Sequence, residues 1–241
     1  MYRFAIALAL LPCMAAGSFA HYNMLLPNKP WAAKGEKVTF TYQFGHPYEH
    51  ELFDAPKPVG LAIVPPKGKT EMLDLDKVLT PIKKDGSNGK KVTAWQFTFT
   101  PPARGDYSFV LKTAKIKHDE KKFVEDIVKV VLHVQTQNGW DDARSPWRNA
   151  PDLLPLTRPY GLLPGMVFRG WVPGAGMVEI EKYNPKPMKN LPPDELITFK
   201  TKPHEDGVFA TTLPEPGWWG VTGVWLQGQR VTHWVHVDEK K

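Results

Sequence analysis

The sequence predicts an all-β fold, two β-sandwich domains behind a short leader. Three observations predict it. Proline (24) and the aromatics (12 Phe, 9 Trp and 7 Tyr) are abundant among 241 residues, a composition that favours strands and turns over helices. No segment sustains a 3.6-residue apolar period over three turns, whereas alternating and short continuous apolar runs recur. Turn signals separate those runs: Lys34-Gly35, Asp85-Gly86, Arg104-Gly105, Gly174 to Gly176, Asp206-Gly207 and Gly228-Gln229.

The first element is residues 1–20. Arg3 supplies a positive start, Phe4 to Leu11 a short apolar run, and Ser18 and Ala20 small residues at a plausible cleavage site. This reads as a secretory signal peptide, too short for a comfortable membrane span. No other run reaches about 18 apolar residues. The mature protein is expected to be exported, with no stable membrane insertion. The single cysteine, Cys13, falls inside the leader, so the mature chain is expected to carry neither disulfides nor thiolate chemistry.

Strands are expected over 22–26, 37–44 (KVTFTYQF), 59–64, 92–99 (VTAWQFTF), 106–113 and 123–135 (FVEDIVKVVLHVQ). These make an N-terminal β-sandwich over 21–136. The lysine-rich piece 112–122 reads as a solvated hairpin tip. Residues 137–159, part of a Pro-rich and Trp-rich run with no clear strand, form a crossing with extended character. A second set, 166–172, 176–182, 196–200, 207–212, 219–226 and 230–237 (RVTHWVHV), makes a C-terminal β-sandwich over 160–241. Both domains are expected to be of the immunoglobulin-like kind.

The charge of +6 comes from 31 basic and 25 acidic residues that are interspersed. That is a mildly basic surface, and no nucleic-acid partner is expected. The G-x-S-x-G, H-E-x-x-H, P-loop and dinucleotide patterns are all missing from the sequence. The carboxylate pairs Asp141-Asp142 and Asp194-Glu195 are adjacent on extended chain and point apart. No enzymatic activity is expected.

The chemistry concentrates in histidines. Cleavage after Ala20 would make His21 the new N-terminus, giving it a terminal amine beside its imidazole. That amine has a pKa of about 7.7–8.0, so a metal can displace its proton near neutral pH. If strands 22–26 and 37–44 pair as an antiparallel meander, position 21 opposes position 46. Opposed side chains lie about 4.5–5.5 Å apart, within reach of one metal ion. His50 follows in the same loop, with Glu49 and Glu51 offering carboxylates. The candidate metal site is therefore His21, His46, His50, Glu49 and Glu51. Nitrogen donors with some carboxylate suit nickel, cobalt, copper or zinc better than calcium or magnesium.

The other histidines carry less. Alternation puts His233 and His236 on opposite faces of one strand. His133 shares a face with Lys129 and is expected half-buried or exposed, His118 is expected in a solvated loop, and His204 caps a turn. Trp218, Trp219, Trp225 and Trp234 are expected to fill core or interface, with an exposed aromatic platform as the alternative.

The start AHYNMLLP, the loop FGHPYEHELFDAP, the crossing PYGLLPGMVFRGWV and the stretch DGVFATTLPEPGWWGVTG together resemble the NikM-like periplasmic components of nickel and cobalt uptake systems. The resemblance spans nearly the whole mature chain, and its most specific pieces are GHPYEHE and PEPGWWG. It implies a periplasmic protein that helps to deliver Ni²⁺ or Co²⁺ to a membrane metal-transporter component. It also implies a second domain resembling a carboxypeptidase-regulatory, transthyretin-type sandwich. By position, the family's N-terminal histidine is His21 and its Gly-His-Pro loop is Gly45, His46 and Pro47. Two alternatives stand beside this expectation. One is a copper-binding chaperone using the same N-terminal histidine, and the other is a metal-independent glycan or protein interaction module.

Overall fold

The computed structural model describes residues 21–86, 89–117, 123–135, 144–147, 149–226 and 228–240. The expected leader, His118, Trp140 and the pair Asp141-Asp142 lie outside the described residues.

The chain is almost entirely β. In the first half, strands run over β1 (Tyr22–Pro27), β2 (Trp31–Ala32), β3 (Val38–His46), β4 (Glu51–Phe53), β5 (Gly60–Val64) and β6 (Glu71–Met72). One helical turn, α1 (Leu75–Val78), is capped by the Asp74 side chain accepting from the Asp76 N–H. There follow β7 (Thr80–Asp85), β8 (Lys91–Phe99), β9 (Gly105–Lys112), β10 (Ile116–Lys117), β11 (Phe123–Val124) and β12 (Asp126–Val134). The second half supplies β13 (Leu154–Pro155), β14 (Val167–Trp171), β15 (Met177–Lys182), β16 (Phe199–Thr201), β17 (Val208–Thr212), β18 (Gly217–Val224) and β19 (Arg230–Val237). β10 pairs with β11, so a hairpin base stands where the lysine-rich tip was expected. β13 is a short strand inside the segment expected to have none. It forms because Leu154 and Pro155 pair with Trp171 and Gly170 of β14.

Two cores hold these strands as stacked sheets. A five-stranded sheet runs β1-β3-β8-β7, with β4 on the flank of β3. A nine-stranded sheet runs β16-β15-β18-β19-β12-β9-β5-β6, with β2 also paired to β12. Between them lies the first core, where Phe40 stacks on Phe97 at 4.9 Å and meets Phe109 at 4.1 Å. Such rings contribute both buried area and edge or stacking contacts. Period-2 alternation sends the other face of the same strands the opposite way. Val110 and Ile127 there join Phe168, Phe209, Val221 and Val235 in a second core. The three-stranded sheet β13-β14-β17 contributes Phe168 and Phe209 to it.

The nine-stranded sheet draws strands from both halves of the sequence. β12 and β19 lie side by side in parallel, Asp126 opposite Arg230 and Val130 opposite Trp234. The crossing segment reinforces this join. Lys129 of β12 is buried, and its ammonium is held by Asp152 (2.8 Å) and the Leu153 carbonyl (3.1 Å). Among the described residues no helix is long and apolar enough to cross a membrane.

Candidate metal centre at the head of the first strand

β1 and β3 pair antiparallel with Tyr22 opposite Gly45 and Asn23 opposite Phe44. In this register His21 meets His46. Their rings stack with centroids 4.7 Å apart at 26°. Phe44 stacks on His21 at 5.3 Å, and Phe53 meets both imidazoles edge-on, at 5.1 and 5.5 Å. These four residues share one face of the β1-β3-β4 corner.

β4 returns against β3 with Glu51 opposite His46. Gly45 makes that return possible. Its φ is +150°, and a Cβ there would lie 2.0 Å from the Glu51 carbonyl oxygen and 2.9 Å from the Leu52 Cα. Only glycine accepts that backbone conformation and that approach. The result puts the Glu51 carboxylate 3.1 Å from His46 Nδ1. An ionised carboxylate only accepts, so Nδ1 donates and the ring is held as the tautomer with its lone pair on Nε2.

The head of β1 is pinned from the second half of the chain. Arg230 donates to the His21 carbonyl (2.7 Å) and stands over the Tyr22 ring (4.6 Å), with Glu179 3.3 Å from its guanidinium. Burial works against the Arg230 charge, but Asp126, Tyr22, Glu179 and Glu181 more than offset it and hold the pKa above the ordinary range. Asn23 is buried, bonding Asp126 (2.8 Å) and accepting from Tyr42 (2.7 Å). Its carbonyl accepts from the Trp234 indole at 3.1 Å. A strand end fixed by this many partners loses little entropy when a ligand arrives.

His50 and Glu49 face other partners. His50 sits in the left-handed region at φ 55° and donates from Nδ1 to the Asn184 carbonyl at 2.8 Å. Burial lowers its pKa. Glu49 acts on Glu181, whose carboxyl is pushed up to about 7, chiefly by burial and then by the Glu49 charge. The loop between β3 and β4 thereby docks on the end of β15, where Asn184 also donates to the Tyr48 carbonyl at 2.6 Å. Of the five expected site residues, then, His21, His46 and Glu51 stand together, while His50 and Glu49 turn toward the second half. Among the described residues no three His, Cys, Asp or Glu side chains are spaced to hold a metal.

The remaining histidines and tryptophans divide as alternation suggests. His233 is buried and His236 is half-buried, bonded to Asp238 at 3.0 Å. His204 lies at a turn, its N–H donating to the Val208 carbonyl at 2.8 Å. Trp219 and Trp234 are buried, and Trp218 and Trp225 pack partly buried against the two cores. Sequence reasoning missed Arg230 and Asn23 as the groups that fix the strand head. A lone arginine opening a strand and an asparagine inside one were the available signals.

The family model described as a domain of unknown function (DUF4198) matches residues 18–226. No curated protein matches the chain. Two solved structures are similar at a low level. Domains 5–6 of the S-layer protein SbsC share 13% identity, with 91% of this chain and 100% of that chain covered, at a TM-score of 0.23. Bovine butyrophilin shares 11%, covering 88% of this chain and 96% of that one, at a TM-score of 0.21. Neither likeness carries an argument about this protein.

Proposed function

We propose, for a chain that belongs to the DUF4198 family, that it is a non-catalytic, exported transition-metal-binding protein whose site is the head of β1. The observation that carries this reading is the β1–β3 register, which sets the His21 ring against the His46 ring. Once the leader is removed after Ala20, His21 adds its amine to its own imidazole. That amine is the third nitrogen which the side chains alone do not supply.

The donors fit such an ion. His46 would ligate through Nε2, because Nδ1 keeps its proton and donates it in a hydrogen bond to Glu51. A carboxylate placed this way orients the ring and raises its basicity as a ligand. Two imidazoles and an amine, with carboxylate nearby, suit tetragonal Ni²⁺ or Cu²⁺. Phe44 and Phe53 flank the rings and limit water on that side. With the NikM-like resemblance, the cargo is Ni²⁺ or Co²⁺ for a membrane transporter component in the periplasm. The all-nitrogen donor set favours copper chaperoning as the second reading.

The test is a calorimetric titration of Ni²⁺, Co²⁺, Cu²⁺ and Zn²⁺ into mature protein whose mass confirms His21 as first residue. A second preparation carries one extra residue before His21. Tight one-to-one binding to the first and much weaker binding to the second is the expected result. Equal binding to both would remove the terminal amine from the site, and no binding to either would overturn the metal reading.

A further inference from the structure

A second constellation crosses the nine-stranded sheet in one row. β2 pairs with β12 through Trp31 opposite His133, and β12 pairs with β9 through His133 opposite Asp106. Paired positions place side chains on one face roughly 5 Å apart, so indole, imidazole and carboxylate follow one another by register alone. Asp106 is 7% exposed. It accepts from His133 Nδ1 at 2.8 Å and from the Tyr160 hydroxyl at 2.6 Å. Tyr160 stacks on the imidazole with centroids 4.2 Å apart at 25°.

Arg158 is set against this group. Its Nε donates to the Tyr160 carbonyl at 3.0 Å, and its guanidinium lies 5.2 Å from the Tyr160 ring centre. Gly161 leaves room for it, since a Cβ there would stand 3.0 Å from Arg158 Nη2. Asp238 is held by its own N–H to the Leu162 carbonyl at 2.7 Å and by His236 to its carboxylate at 3.0 Å. Trp31, His133, Arg158, Tyr160 and Asp238 line one cavity of about 190 Å³.

The lining specifies a class of ligand. Trp31 is 61% exposed and is the only exposed indole among the described tryptophans. It offers a flat apolar face beside the few polar groups of the lining. Asp106 fixes His133 with Nδ1 protonated, which makes Nε2 an acceptor. Arg158 supplies donors and Asp238 supplies acceptors. One cation and one anion in the same lining select neither an anion nor a cation. A neutral polyhydroxylated ring uses all of it: its C–H face covers the indole, and its hydroxyls both donate and accept. The volume is below the roughly 300–1,000 Å³ of drug-sized pockets and is suited to one sugar ring.

We propose that this cavity binds a neutral pyranose unit of a glycan, with Trp31 as the stacking platform and Arg158, His133 and Asp238 as the hydrogen-bonding set. The site shares no residue with the head of β1, so it stands or falls separately from the metal reading. Its scaffold is preorganised, because the row is built on three paired strands and Asp106 is already satisfied by two donors.

The test titrates mature protein calorimetrically with chitotetraose and with cellotetraose at millimolar concentration, using L-glutamate as a charged probe. Binding of at least one tetrasaccharide is expected, weakened about tenfold or more by Trp31→Ala and by Arg158→Ala. Trp31 is exposed, so Trp31→Ala should melt with the parent and keep the comparison clean. Failure of both sugars to bind would overturn the proposal. So would sugar binding that Trp31→Ala leaves unchanged, or binding of glutamate alone.

Discussion

His46 and His133 each donate a ring N–H hydrogen bond to a carboxylate, but the two pairs are built differently. Glu51 lies five residues from His46 on the next short strand, and its side chain is 42% exposed. Asp106 lies 27 residues from His133, is 4% exposed in its side chain, and takes a second bond from Tyr160. The first pair is local, near the solvent and beside the proposed new N-terminus. The second is long-range, buried and closed by a third element. A site that must gain a ligand and a terminal amine benefits from an accessible carboxylate that can adjust. A site that recognises shape benefits from a carboxylate already saturated.

The comparison can be broken or sharpened by substitution. The largest effect is expected at Gly45→Ala, where a Cβ would collide with the Glu51 backbone. Urea unfolding should show a loss of about 3 kcal/mol or more, and metal binding should fall with it. A parent-like stability would mean that β4 need not approach β3 so closely.

An acid titration of stability comes next. His233 is buried beside Lys129, and neither ring nitrogen has a hydrogen-bond partner among the described residues. Burial, helped by the Lys129 charge, lowers its pKa to about 3. Its folded pKa lies below the unfolded value of about 6.5. Stability from the neutral ring is therefore complete above about pH 6.5 and is lost as pH falls toward about 3. At pH 4 the loss approaches about 3 kcal/mol. Urea unfolding of His233→Leu should show a smaller difference between pH 7 and pH 4 than the parent, and an unchanged difference would assign the acid sensitivity elsewhere.

His46→Ala should weaken metal binding on the order of 100-fold in the same calorimetric titration, while its melting temperature stays close to the parent's. Asp106→Ala should do the reverse. It leaves the Tyr160 hydroxyl and the His133 N–H without their acceptor, costs about 2 kcal/mol, and leaves metal affinity unchanged. Metal affinity falling in both variants would mean that the two clusters are one coupled system. The smallest effect is expected at Glu51→Gln, which keeps an acceptor beside His46 but removes its charge. Metal affinity should drop about tenfold, with no change in stability beyond about 0.5 kcal/mol.

The two clusters also differ in how far the sequence discloses them. Apart from β7, the strands of five or more residues are announced by alternation or by short apolar runs, and the β1–β3 register follows from the turn between them, so the meeting of His21 and His46 is legible. The β7 strand is not, because Thr80–Asp85 is mostly exposed and holds Pro81, Lys83 and Lys84 in place of an apolar face. β2, β4, β6 and β13 are two or three residues long, too short for any period to register. Alternation places Lys129 on the less apolar face of β12, yet it is buried, because the chain around Asp152 folds over that face. Asp106 and His133 are equidistant from one hairpin turn, so their pairing was within reach of the same register argument that found His46. Tyr160 was not, since nothing local ties it to either residue. His50 and Glu49 sit in the right loop, but their partners, Asn184 and Glu181, belong to the other half of the chain.

The most direct test is anomalous diffraction at the nickel absorption edge from crystals of mature protein loaded with Ni²⁺. The account predicts one strong peak at the head of β1, within bonding distance of His46 Nε2 and of both the amine and the ring of His21. A peak at His50, His133 or His236 with none beside His46, or no ordered nickel at all, would contradict it.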